Sequence, residues 1–357
     1  MPTTNPYTFE RSDDMIHMDR NTSPISPLGD DAIAEVIKAT KIYEYPGDEI
    51  NQFKQLYAGY YDIDPGAIEV ANGSDEWIQK AIMTLGRNGV MTLDPDFVMY
   101  HEYANQVDVP VHTISCDSDF KFDFDMVIEE IKIHEPSLFL ISVPHNPTGR
   151  MFRAEELQAL ADAMQRVGGY LVLDEAYFEF GPAYTRPEGK HVLIIRTLSK
   201  MFGVAGLRIG IAIAKGETFD KITRLNHPYP VNSLSLNLAS KVFSDRTALD
   251  QFVRYQLDSK KQLSESLRYA CDKINIIESS TNFILTYGDN ARDLADYLIG
   301  HGYQPRIYNK APLENAVRYS IIGSEHYERF NQLIKEWSNQ YDKEGTRDKG
   351  NKNIHST

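Results

Sequence analysis

The stretch Val192-Leu193-Ile194-Ile195-Arg196-Thr197-Leu198-Ser199-Lys200 decides how this chain is read; Gly203, Gly206 and Arg208 follow, within and before a second apolar run over 207–214. Two strand-like runs bracket a loop that carries a lysine. Lysine is rarely placed between buried strands unless it is paired or used. An amine held there can lose its proton and attack a carbonyl. The question is what else the chain brings to that loop.

Working outward toward the N-terminus, short β-rich apolar runs at 67–71, 90–93, 138–143 and 170–173 alternate with helix-period stretches at 76–85, 123–133 and 153–167. Near-continuous apolar runs mean strands covered on both faces. Alternation with helices predicts a doubly wound α/β domain with a mostly parallel sheet. In such sheets, ligands sit beyond the carboxyl ends of the strands.

Those ends carry the chemistry. The first run ends in Asn72-Gly73-Ser74-Asp75-Glu76, where glycine permits close approach, Ser74 can cap the next helix, and free N–H groups suit a phosphate. The second leads to Phe97, an aromatic placed to stack on a planar ligand. The third ends in Pro144-His145-Asn146-Pro147-Thr148-Gly149, with Asn146 fixed between prolines to offer its amide. The fourth ends in Asp174-Glu175-Ala176-Tyr177; a carboxylate there needs a partner, and a protonated ring nitrogen is one. The fifth brings Lys200, and Arg208 adds a guanidinium. Read singly, these are caps, turns and core residues. Together they match one cofactor, pyridoxal 5'-phosphate, whose aldehyde condenses with lysine and whose ring is an electron sink when its nitrogen faces an acid.

Elsewhere, a helix is predicted from Asp30 or Asp31, as cap, to about Thr40, and another over 49–60. Between them lies the turn Tyr43-Glu44-Tyr45-Pro46-Gly47-Asp48. A helical region spans about 235–271, broken near 244–247. Strand-like segments at 275–277, 282–287 and 317–322 follow, with helices at 291–301 and 327–341. The expected organisation is an N-terminal segment (1–40) joining the small domain, a large cofactor-binding domain (41–240), a small α+β domain (241–342) and a disordered polar tail (343–357).

Composition narrows the partners. The 357 residues carry a formal net charge of −14, which disfavours nucleic acid and anionic membranes. Two distant cysteines, Cys116 and Cys271, point to a reducing, cytoplasmic compartment, and no metal-ligand spacing is present. No apolar run approaches membrane-spanning length, and the N-terminus lacks a secretion-signal pattern.

The motifs Asp174-Glu175-Ala176-Tyr177, Pro144–Gly149 as quoted, and Thr197-Leu198-Ser199-Lys200 with Gly206-Leu207-Arg208 resemble those of the fold type I, class I/II aminotransferases, closest to the histidinol-phosphate aminotransferase group. The resemblance spans roughly 15–340. It implies the aspartate-aminotransferase-like fold, pyridoxal phosphate, a homodimer, and transfer of an amino group between an amino acid, best guessed as histidinol phosphate, and a 2-oxo acid such as 2-oxoglutarate, in amino-acid biosynthesis. It further implies that Lys200 carries the cofactor and moves the proton, that Asp174 pairs with the ring nitrogen, and that Tyr177 and Asn146 bond the ring hydroxylate. Phe97 stands where the family has a tyrosine. Gly73, Ser74, Asp75, Thr197, Ser199 and Arg208 would hold the phosphate, with Tyr45 reaching the partner's cofactor. Arg318 would clamp the substrate carboxylate, with Arg306 and Asn21 as further substrate residues. The string Arg20-Asn21-Thr22-Ser23-Pro24 departs from the group's Asn-Glu-Asn-Pro, and Tyr7 stands near where a substrate tyrosine is expected. Other readings are an aromatic or broad-range aminotransferase, a threonine-phosphate-decarboxylase-like enzyme, and a regulator that has lost catalysis. The last disagrees with the acidic charge and with the roughly 14 residues before the first motif.

Overall fold

A computed structural model describes residues 14–351, so Tyr7 lies outside the described residues. In chain order, strand β1 (Ile16–Met18) precedes helices α1 (Asp30–Ala39) and α2 (Glu49–Tyr61). Then come β2 (Ile68–Asn72), α3 (Ser74–Leu85), β3 (Val90–Asp94), α4 (Met99–Asn105), β4 (Val111–Ser115), α5 (Phe124–His134), β5 (Leu138–Ser142), α6 (Ala154–Arg166), β6 (Tyr170–Asp174), β7 (Val192–Thr197) and β8 (Ile209–Ile213). The remainder is α7 (Gly216–Thr223), α8 (Ser233–Ser244), α9 (Arg246–Leu267), β9 (Asn275–Ile276), β10 (Phe283–Tyr287), α10 (Ala291–Ile299), β11 (Tyr303–Ile307), β12 (Ala316–Ser320) and α11 (Tyr327–Asn351).

The large sheet runs β2-β8-β7-β6-β5-β3-β4. β7, β6, β5, β3 and β4 are mutually parallel. β8 is antiparallel to both β7 and β2, which makes β2 parallel to the rest. The carboxyl ends of β2, β3, β5, β6 and β7 therefore share one edge, and the start of β8 meets them there. β5 shows why its first four residues are all apolar: Leu138 and Leu140 pack with Trp77, Ile78 and Ala81 of α3, while Phe139 and Ile141 pack with Ile131 of α5 and Leu160 of α6.

The smaller sheet runs β1-β11-β12-β10-β9, with the N-terminal strand pairing in parallel with β11. One apolar cluster joins Phe53 and Tyr57 of α2, Phe202 after the lysine loop, and Tyr319 and Phe330, so the two layers share a core. α8 crosses position 240, where a domain division is expected, without a break. Its Leu236, Ala239 and Phe243 belong to that same cluster.

Several expectations need correcting. β4, β11, α4 and α7 are absent from the sequence reading. β4 is an edge strand whose burial alternates with exposure, so it has no continuous apolar run. α1 is capped by Gly29 without a side-chain bond, and Asp30 and Asp31 sit in its first turn, facing the helix dipole. Ser74 is the first residue of α3, not its cap; Gly73 takes that place. α11 runs past position 343 to Asn351. That stretch has no proline to break a helical ladder. Residues 352–357 lie outside the described residues.

Candidate active site

At the shared strand edge lies a cavity of about 260 Å3. Among the predicted site residues, Ser74, Asp75, Phe97, Asn146, Asp174, Tyr177, Thr197, Ser199, Lys200 and Arg208 all line it. Lys200 is half-buried, not enclosed as its flanking strands suggest. Its loop is tied to α9, where Gln256 Nε2 donates to the Met201 carbonyl at 3.2 Å. Its Nζ stands 5.7 Å from the Tyr177 ring centre.

One end of the cavity is a backbone cradle. Gly73 has φ +83°, and a Cβ there would come within 2.3 Å of Arg208 Nη2. Gly210, on the strand paired with β2, is tighter still: its Cβ would meet the Gly73 carbonyl carbon at 2.2 Å. Glycine at both places lets β2 turn into α3 against β8. Arg208 is itself left-handed, with φ +53°, a conformation that costs a non-glycine residue energy and is often kept at functional sites. Its Nη2 donates to Asp75 Oδ2 at 2.7 Å, and Tyr103 donates to Asp75 Oδ1 at 2.9 Å. Thr197 and Ser199 hydroxyls are 2.9 Å apart. Hydroxyls, a guanidinium and the amino end of α3 make this end an anion site.

The middle is set by Asp174. It is buried and accepts from the Tyr100 hydroxyl at 3.0 Å and from the Ala176 amide at 3.2 Å. Burial pushes its carboxyl up to about 7, against the pull of those bonds and of Lys200. A carboxyl so placed favours a cationic partner inside the cavity. The neighbouring Glu175 already has its own: burial would raise it, but Arg196 at 2.8 Å and Arg186 at 2.6 Å hold it below the ordinary range. The two acids of one motif thus divide, Glu175 locking β6 to β7 and Asp174 facing the ligand space.

At the other end, orientation comes from hydrogen-bond direction. Arg318 Nη1 donates to Asn146 Oδ1 at 2.9 Å, which turns the Asn146 NH2 toward the cavity. Asn21 accepts from Ser320 Oγ at 2.7 Å and donates through Nδ2 to the Tyr177 hydroxyl at 2.9 Å. Tyr177 therefore keeps its own proton for a ligand oxygen. Asn21 is buried and does not line the cavity.

Two predicted residues stand apart. Arg306 is exposed, beside Tyr308 and opposite Arg318 in the β11–β12 register. Tyr45 is 78% exposed and stacks on Tyr229 at 4.6 Å, in a separate hollow of about 620 Å3. Sequence reasoning misses Tyr100 and Asp96. Asp96 is buried, accepts from Ser142 Oγ at 2.5 Å and from the Phe97 amide at 2.7 Å, and lies 3.6 Å from His145. Burial drives the Asp96 carboxyl well above the ordinary range and His145 down to about 3, so His145 is neutral at pH 7. The signal available was a carboxylate two residues past a buried strand. Arg20 and Thr22, from the stretch 20–24 on which the choice of substrate is expected to depend, also line the cavity.

A lysine, a buried acid and a guanidinium-lined cradle gathered on one sheet edge of an α/β fold make the arrangement of an enzyme site for small molecules. The family model for aminotransferase class I and II matches residues 21–328, and the chain belongs to that family: it is an aminotransferase acting on small molecules. A histidinol-phosphate aminotransferase of Thermoanaerobacter sp. (strain X514) is 33% identical over 321 residues, covering 86% of this chain and 89% of that protein. The structure of histidinol-phosphate aminotransferase from Sinorhizobium meliloti in complex with pyridoxal-5'-phosphate aligns with a TM-score of 0.79 at 22% identity, over 91% of both chains. L-threonine-O-3-phosphate decarboxylase from Porphyromonas gingivalis aligns at 0.70 with 19% identity, over 90% of this chain and 99% of that one. At such identities the structures report the fold. Among the described residues, no helix is long and apolar enough to cross a membrane and no cluster suited to a metal ion is found.

Proposed function

We propose that the chain uses pyridoxal 5'-phosphate to move an amino group from histidinol phosphate to 2-oxoglutarate, as a cytoplasmic homodimer. The observation that carries the cofactor is Asp174, a buried carboxyl pushed up to about 7 within the same cavity as Lys200 and the Arg208 cradle. When bound, that cofactor supplies an electron sink for the carbon bearing the amino group.

The chain's own residues do the rest. Ser74, Thr197, Ser199 and Arg208 would hold the phosphate, with Gly73 leaving it room and Asp75 orienting the arginine. Asp174 would face the ring nitrogen and keep a proton there. Tyr177, donating, and Asn146, donating through its amide, would bond the ring oxygen. Phe97, edge-on to Tyr100 at 5.5 Å, would cover the ring face. Lys200 Nζ takes and returns the substrate Cα proton, as general base and then acid. Arg318 offers a planar fork to the substrate anion; its buried Nε has no hydrogen-bond partner among the described residues. Tyr45, with Ile42 and Tyr43 also largely exposed, supports the dimer reading, in which Tyr45 reaches the partner's cofactor.

The choice of donor rests on relatives such as that of Thermoanaerobacter. The test is a panel of amino donors added singly to the purified holoenzyme, read as the shift in visible cofactor absorption. Histidinol phosphate should give the largest shift at the lowest concentration. Carbon dioxide release without any need for a 2-oxo acid would overturn the transaminase reading.

A further inference from the structure

Phe97 and Asn146 line the cavity from different loops, and one side chain behind the wall ties the two together. That side chain is Asp96, which does not line the cavity and is only 1% exposed. A carboxyl buried so deeply must be met by donors. Asp96 Oδ1 accepts from the Phe97 amide at 2.7 Å and from Ser142 Oγ at 2.5 Å, and Oδ2 accepts from the Ser142 amide at 3.3 Å. Ser142 Oγ, having given its proton to Asp96, accepts from the Asn146 amide at 2.8 Å. A hydroxyl has a single proton, so the carboxyl fixes which way Ser142 faces, and the Asn146 backbone follows.

No neighbour shares this work. His145 Nε2 is 3.6 Å from Asp96 Oδ2, beyond hydrogen-bonding distance, and His145 Nδ1 is engaged by Thr148 Oγ1 at 2.7 Å. Asn146 is thus held twice, its backbone by Ser142 and its side-chain oxygen by Arg318 at 2.9 Å. Ser142 also pairs with Asp174 across β5 and β6, so the carboxyl braces the strand end that stands beside the acid of the site.

We propose that Asp96 is a positioning residue for the cofactor ring, acting through the Phe97 backbone and through Ser142 to set the aromatic cover against the Asn146 amide. This rests on the cofactor reading above. The test compares Asp96→Leu, close in size and without an acceptor, with Asp96→Asn, which keeps an oxygen for Ser142 Oγ and the Phe97 amide. Equilibrium dialysis of cofactor-free protein gives the Kd for pyridoxal 5'-phosphate, and the induced circular dichroism of the bound cofactor's visible band reports how the ring is held. Asp96→Leu should raise Kd by about tenfold, the scale of buried donors left unpaired, and weaken the induced band per bound cofactor. Asp96→Asn should lie closer to wild type on both. Lost packing alone would lower the urea midpoint and leave the band per bound cofactor as it was. Ser142→Ala should weaken the band as well, and the double variant with Asp96→Leu should lose less than the two single losses added. An unchanged band in Asp96→Leu, or an Asp96→Asn no better than Asp96→Leu, would overturn the role of Asp96 while leaving the cofactor reading intact. If Asp96→Leu does not fold, Ser142→Ala decides, and an unchanged band there overturns the role. Wild-type protein that shows no visible band after dialysis against the cofactor would overturn the cofactor reading, and the role of Asp96 with it.

Discussion

The proposed function gives Lys200, Asp174 and Tyr177 one task each, and each can be removed alone. Lys200→Ala should retain bound cofactor yet lower kcat by at least about 100-fold, the scale of a lost general acid–base group; a turnover assay on cofactor-loaded variant checks this, and near-normal turnover rejects the proton role. Asp174 ties pH to stability. Its folded pKa, about 7, is raised above the unfolded value. The folded state therefore binds the extra proton between pH 4 and 7, and its stability falls as pH rises through that window. Removing this group in the cofactor-free protein should flatten the pH dependence between pH 5 and pH 8 by about 3 kcal/mol. Thermal unfolding of cofactor-free wild type and Asp174→Asn at pH 5 and pH 8 tests it, and parallel curves would refute it. These residues were legible because each closes a buried strand, where a polar group must have a reason. Asn21 was legible as a motif position, but its contacts with Tyr177 and Ser320, far along the chain, were not. Tyr100 was silent because a tyrosine inside a helix reads as core until a carboxylate is found at its hydroxyl.

At the scale of elements, the phosphate end depends on how closely two strands and a helix approach. Gly210→Ala would place a methyl group on the Gly73 carbonyl, with no flexible side chain to yield. A loss of about 1–3 kcal/mol is expected by urea denaturation, together with weaker cofactor retention on dialysis. A variant as stable as wild type would show that β2 can retreat from β8. The central strands were readable from sequence because both their faces are covered and their runs are nearly continuous apolar residues up to the carboxyl ends. β4 and β11 were not, since their side chains are partly exposed and break the run. Helix ends were the other blind spot: at Gly73 the backbone takes the capping position and leaves Ser74 inside the helix, a choice made by contact with Arg208 and not by capping preference.

For the whole molecule, the exposed aromatic turn at Tyr43 and Tyr45 sets an expectation about assembly. Light scattering should give the mass of two chains, and Tyr45→Ala should shed cofactor faster than wild type when diluted. A monomer retaining full activity would reject the shared-site reading. The reversed strand β8 has one more effect, on the order in which the molecule is built. Ile68 of β2 pairs with Ile213 of β8, so the first strand of the large sheet waits for the last one. Closing so long a loop is slow, and it comes after the local β–α units have formed. A growing polypeptide can hold a finished Asp174 strand end while Gly73 still has nothing opposite it. With the phosphate held where proposed, its capture would mark a completed sheet.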